Sequence, residues 1–112
     1  MKTTGGHAEM QEPLHKLLSL LSGAWTLNIL YELHSQGPTR FGVLKRRLGA
    51  ISTRTLTERL RMLEQEGLVL RHYEPTVPPQ VTYSLTQKTG ELGPAIGELQ
   101  QIASKWYEAD KD

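Results

Sequence analysis

Between Ser52 and Arg61 the chain sets hydroxyl and guanidinium groups at intervals that collect them on one side of a helix. At about 100° per residue, Arg54, Glu58 and Arg61 fall together, with Thr57 on one flank and Leu56, Leu60 and Leu63 opposite. A guanidinium fork suits the O6 and N7 acceptors of guanine, or a phosphate; a hydroxyl suits a phosphate or either polarity of base edge. Ser52, Thr53 and Thr55 open the segment, and the backbone N–H groups of a helix start can take a phosphate oxygen. Just upstream, Lys45, Arg46 and Arg47 form a cationic run suited to holding a nucleic-acid backbone rather than to reading bases. The competing reading is an ordinary solvated helix, supported locally by Arg54–Glu58 and Glu58–Arg61 pairs.

Charge distribution says more than the total does, although by itself it fits a solvated charged face as well as a nucleic-acid surface. The whole chain of 112 residues carries only +1. From Arg40 to Arg71, however, eight Lys and Arg face three Asp and Glu, an excess of five; the rest holds five basic residues against nine acidic ones. A basic middle with acidic ends is the electrostatic footprint of a nucleic-acid surface in an otherwise neutral protein.

The elements that must carry these residues follow from periodicity. Residues 1–11 read as a flexible polar tail, without the apolar centre of a signal peptide. Residues 12–109 read as one domain. Pro13 can open a first helix with Leu14, Leu17, Leu18 and Leu21 on one face, ending at Ser22-Gly23. A second helix from about Trp25 to Gln36 turns Trp25, Ile29, Leu30 and Leu33 inward and stops at Gly37-Pro38. Thr39-Arg40-Phe41 suits a very short strand, and Gly42–Leu48 a third helix. Gly49-Ala50-Ile51 is then a tight turn, Ser52 an N-cap, Thr53 to about Glu66 the fourth helix, and Gly67 its stop. Two helices joined by so short a turn make a helix-turn-helix. Alternation over Leu68–Tyr73 and Val81–Leu85, with Pro75, Pro78 and Pro79 between, predicts a hairpin directly behind it, which is a wing. The wing tip has no Lys or Arg, so contact there would use Thr76, Gln80 or backbone groups. Thr86 caps a final helix reaching about Ala109. The fold class expected is mainly α with a small β-hairpin, a winged helix-turn-helix.

Other chemistries are poorly supplied. The chain has no cysteine, which removes disulfides, thiolate metal sites and thiol redox chemistry. His7, His15, His34 and His72 are scattered rather than spaced as metal ligands. No phosphate-binding glycine loop or nucleophile elbow occurs, so neither an enzyme nor a cofactor is expected. The apolar stretch Leu17–Leu21 is too short to span a bilayer, and the expected location is cytoplasmic. The rival of a DNA-binding protein is a winged helix that binds only other proteins, which would leave the basic third and fourth helices without a use.

The ordered set of motifs resembles the HxlR-type family of winged helix-turn-helix regulators, related to the MarR-like regulators. It comprises Leu21-Ser-Gly-Ala-Trp25 leading into Leu27–Leu33, Gly37-Pro-Thr-Arg-Phe-Gly42, Ile51-Ser52 with Leu56-Thr57 through Gly67-Leu68-Val69, and Pro78-Pro79 with Val81-Thr-Tyr-Ser-Leu-Thr86 and Gly90. The likeness covers roughly residues 12–107. It implies a dimeric transcription regulator, a repressor by expectation, that binds palindromic double-stranded DNA with its fourth helix in the major groove. It also implies that the first and last helices build the homodimer. Two positions depart from the family pattern. Glu12 precedes Pro13, where several members carry a sensing cysteine, and Ala24 stands before Trp25 in place of a lysine.

In the last helix Leu92, Ile96, Leu99, Ala103 and Trp106 recur at heptad spacing. Leu92 is expected to pack within the domain, and Leu99, Ile102, Ala103 and Trp106 to meet a partner subunit, together with Leu14, Leu17 or Leu18 of the first helix. No residue pattern identifies a small-molecule effector. Trp25 is either a core anchor or a wall of an effector pocket at the dimer junction, and the two roles are compatible.

Overall fold

The computed structural model of the protein describes residues 2–108. Its elements run α1 (Lys2–Leu21), α2 (Thr26–Gln36), β1 (Thr39–Arg40), α3 (Phe41–Leu48), α4 (Thr53–Gln65), β2 (Val69–Glu74), β3 (Gln80–Leu85), α5 (Gln87–Gly90) and α6 (Gly93–Tyr107). The strands form an antiparallel sheet in the order β1-β3-β2, with Thr39 opposite Tyr83, Val69 opposite Leu85 and Glu74 opposite Gln80. Helices α3 and α4 joined by the short turn, with the hairpin behind them, make the expected winged helix-turn-helix.

Among the described residues one apolar cluster lies between the three central helices and the sheet. Ile29, Leu30 and Leu33 of α2, Leu44 of α3, and Leu56, Leu60 and Leu63 of α4 are its centre; Ile51, Leu68, Val69 and Tyr83 close it. Leu56, Leu60 and Leu63 are at most 1% exposed, so α4 has essentially no freedom to roll about its axis without exposing leucine. Both its ends are fixed chemically. Ser52 Oγ accepts from the Thr55 backbone N–H at 3.0 Å, and Gly67 takes φ +78° beyond the C-terminus, where a Cβ would be strained.

The junction behind α4 is held by two threonines. Thr86 Oγ1 donates to the Gly67 carbonyl at 2.8 Å, and the buried Thr89 Oγ1 donates to the Leu68 carbonyl at 2.7 Å. The end of the wing is thereby tied to the end of α4.

Beside one-residue shifts in the hairpin strands and at Phe41, which opens α3 rather than ending β1, three departures from the sequence reading matter. Helix α1 begins at Lys2, not Pro13, and Pro13 sits inside it. The strong helix formers Ala8-Glu9-Met10-Gln11-Glu12 continue the helix across the proline at the cost of one backbone hydrogen bond. Secondly, Trp25 is the residue before α2 rather than its first turn, and it adopts the left-handed φ of +70°. That conformation costs a non-glycine residue roughly 1–2 kcal/mol, and here it lets the half-buried indole pack against the core. Thirdly, the single final helix is two. Thr86 caps only the short α5, accepting from the Thr89 N–H at 3.3 Å, and α6 restarts at Gly93-Pro94. Pro94 needs no N–H partner in a first turn. A Cβ at Gly93 would come within 2.8 Å of His34 Cε1, so a larger residue there would displace the exposed His34 ring.

Removing the Leu60 side chain should cost about 2–5 kcal/mol through lost burial and the cavity left behind. Leu70, 57% exposed on β2, should cost far less when changed to alanine. Urea denaturation of Leu60→Ala and Leu70→Ala checks this; equal losses would contradict the core described.

Candidate nucleic-acid interface

With the three leucines of α4 buried, the opposite side of the helix must face solvent. Arg54, Glu58 and Arg61 are all exposed there, and Thr57 is half-buried on the flank. Arg54 Nε lies 3.2 Å from Glu58 Oε2, the i,i+4 pair anticipated. Both partners are well hydrated, so the pair is worth at most about 1 kcal/mol and can be broken by a competing anion. Arg61 forms no ion pair with Glu58 among the described residues. Its guanidinium instead borders a cleft of about 340 Å³ with Thr57, Glu64, Arg71 and Tyr83. At the start of α4, Ser52 and Thr53 are exposed and Thr55 is half-buried. The Ser52 hydroxyl also contacts Thr55 Oγ1 at 2.9 Å.

The cations of α3 do not form one patch. Arg46 faces the wing and α4, lining a cavity with Arg40, Thr57 and Gln80. Arg47 points the other way, into a cleft of about 320 Å³ beside α2 that also contains Trp25, Tyr31 and Leu48. Lys45 is half-buried. The reason is helical: three consecutive residues spread over about 200° and cannot share a face. Trp25 packs on the core, the first of the two roles read for it, and also borders this cleft.

Two arginines change their standing. Arg59, counted in the basic middle, turns inward and is half-buried; its Nη1 lies 3.2 Å from where a Gly23 Cβ would be, beside Thr26. The spacing already held this signal, since Arg59 lies about 60° from Leu56 on the helical wheel. Arg71, by contrast, joins the outward set. It pairs in register with Tyr83, extends toward α4 and stands 5.9 Å from the Tyr73 ring centroid. Its signal was the strand alternation that puts it on the same sheet face as the buried Val69. The wing tip, residues 75–79, is exposed throughout, with Val77 99% accessible.

The remaining candidates gather elsewhere. Leu14 and Leu18 of α1 are about half exposed, and Leu17 is half-buried. On α6, Ile96 is buried and Leu92 packs against the core, whereas Leu99, Ile102, Ala103 and Trp106 are exposed. Leu99 and Ala103 border a shallow apolar groove with Leu27, Tyr31 and Ile96. Among the described residues no three His, Asp or Glu lie together as metal ligands, and no helix is long and apolar enough to cross a membrane.

Comparison with known proteins agrees with this arrangement. The sequence model of the HxlR-like helix-turn-helix family matches residues 20–111. An HTH-type transcriptional regulator of Halalkalibacterium halodurans is 47% identical over 87 residues, spanning 78% of this chain and 77% of the relative. The crystal structure of a MarR-family transcriptional regulator from Porphyromonas gingivalis W83 superposes with a TM-score of 0.77 at 34% identity, covering 82% of this chain and 89% of that one. The reduced form of the transcriptional regulator YodB from B. subtilis does so with 0.73 at 34% identity, over 88% and 95%.

Proposed function

Since the chain belongs to the HxlR-like helix-turn-helix family of transcriptional regulators, and so is a DNA-binding regulator, we propose that it acts as a cytoplasmic repressor that binds a palindromic operator as a homodimer. The observation that carries the reading is the polarity of α4: three leucines buried on one side, and Arg54, Thr57 and Arg61 presented on the other. A helix presented this way, beside a wing, fits the major groove. Arg54 and Thr57 are assigned to base edges, with Glu58 free to accept from a cytosine amine once Arg54 is engaged. Arg40, Lys45, Arg46, Arg61 and Arg71 are assigned mainly to phosphates, as are Ser52, Thr53 and Thr55 at the helix start. Gln80 is the wing's contact. Arg47 contributes charge from the α2 side. The working domain is taken as residues 12–109, of which the last lies outside the described residues.

The homodimer reading rests on unfinished burial. The chain's radius of gyration is 17.0 Å, against about 13 Å for a compact chain of its length. Its accessible surface of 8099 Å² likewise exceeds the roughly 6200 Å² of a compact protein of this mass. On the helices α1 and α6, Leu14, Leu18, Leu99 and Trp106 remain half exposed or more. A second copy packing α1 and α6 against their counterparts would cover them, and two-fold symmetry would set the two α4 helices about 34 Å apart along DNA.

Arg54→Ala should weaken binding to the operator by about 1–3 kcal/mol with little effect on random DNA, whereas Lys45→Ala should weaken both alike and lower the log–log salt slope by about one. Fluorescence anisotropy at two salt concentrations separates them; equal losses on both DNAs for Arg54→Ala would make it a phosphate contact. Leu99→Asp should bury an unpaired carboxylate in the dimer at a cost of several kcal/mol. Sedimentation should then show a monomer of native helicity with sharply weaker operator binding. A variant that stays a tight dimer would locate the interface elsewhere.

A further inference from the structure

The turn from α1 into α2, Ser22-Gly23-Ala24-Trp25, ends on a residue that cannot cap a helix. Tryptophan has no side-chain acceptor, and α2 accordingly starts without a side-chain cap. The Thr26 N–H is taken by the Gly23 carbonyl at 3.2 Å and the Ile29 N–H by the Trp25 carbonyl at 2.9 Å. The N–H groups of Leu27 and Asn28 have no such partner among the described residues. Two side chains converge on the same turn. Thr26 is fully buried, and its Oγ1 has no hydrogen-bond partner among the described residues. Arg59 of α4 is half-buried and forms no ion pair among the described residues. A Cβ on Gly23 would stand 3.2 Å from both Thr26 Oγ1 and Arg59 Nη1, so hydroxyl and guanidinium meet over the bare Cα of the glycine. The sequence has no acidic residue from Leu17 to Tyr31, and Glu58 is engaged by Arg54 on another face of α4.

We propose that this turn is an oxyanion site, holding a phosphate group between the start of α2 and Arg59. A hydroxyl without an acceptor, a guanidinium without an acid and an uncapped helix start share one unmet need, and a single oxyanion accepts from all three. Its charge-assisted bonds with the arginine are the strongest of the set. Around α4, Arg59 lies about 140° from Arg54, so the site is turned away from the reading face. A free phosphate or a small phosphate ester fits that position better than a duplex does. Bound there, it ties α4 to the turn at which α1 leaves the domain, and so stabilises the folded chain. The site stands independently of the repressor and homodimer readings.

The probe is inorganic phosphate, compared with chloride at matched ionic strength on the full chain. Phosphate should shift the amide resonances of Gly23, Ala24, Trp25, Leu27 and Asn28 along saturable curves with one Kd; chloride should not. At ten times that Kd the melting temperature should rise by about 5 °C or more. R59Q should weaken phosphate binding about tenfold or more with unchanged circular dichroism, and T26V about threefold or more. In chloride, T26V should melt no lower than the wild-type protein, because it removes a buried hydroxyl that has no partner. K16Q/K88Q, which alters the cationic groove between α1 and α5, should bind phosphate as the wild type does. A duplex from the chain's own upstream region separates the two sources of phosphate. If the free anion is the ligand, DNA leaves the five amides at their phosphate-bound positions and R59Q keeps the wild-type salt slope. If a backbone phosphodiester is the ligand, DNA displaces phosphate and R59Q lowers the log–log slope by about one; the site stands and the free anion is overturned as its source. Shifts that do not saturate would overturn the site itself. So would equal losses in R59Q and K16Q/K88Q, or a T26V protein destabilised in chloride.

Discussion

The fold turns on the burial of Leu56, Leu60 and Leu63. Each is almost wholly removed from water and worth roughly 1.5–3 kcal/mol against exposure. Because they recur on one stripe of a 13-residue helix, burying them fixes the rotation of α4 and with it the direction of every other side chain on the helix. Arg54 and Arg61 point outward because the leucines point inward. The residue types of the outer face decide what can be bound, and the inner face decides where they are held.

The surrounding elements act on the same constraint. Ile29, Leu30, Leu33 and Leu44 supply the surface that the leucines pack on. Ser52 satisfies a backbone donor at the start of α4, and Gly67 allows the chain to leave its end. Thr86 and Thr89 then fasten the end of the returning strand to Gly67 and Leu68, joining the base of the wing to the end of α4. Arg71 and Gln80 border the same clefts as Thr57.

Most of this surface was legible in the sequence. Caps and helical spacing are local signals, so α4 and its outward residues followed from Ser52, Gly67 and the leucine stripe; so did the hairpin, from its alternation. What escaped depended on tertiary contact or on one rule masking another. The heptad from Leu92 to Trp106 ran through Gly93-Pro94 and hid a helix start that the proline signalled. The left-handed Trp25 follows from packing of its ring, which no local preference of tryptophan predicts. Lys45, Arg46 and Arg47 are adjacent in sequence, yet around α3 they spread over about 200°. Arg59 adds to the net charge of the middle segment, but its angle places it near Leu56. The family likeness to regulators with a reduced form does not extend to a thiol here, since the chain has no cysteine.

Amide chemical-shift mapping with a duplex from the chain's own upstream region tests the central claim most directly, namely that the outer face of α4 and its neighbours meets DNA. Saturable perturbations should centre on Ser52–Arg61, with smaller ones in α3 and at Arg71 and Gln80, and should fade in high salt. Perturbations centred on the exposed end of α6, with Ser52–Arg61 unmoved, would contradict it.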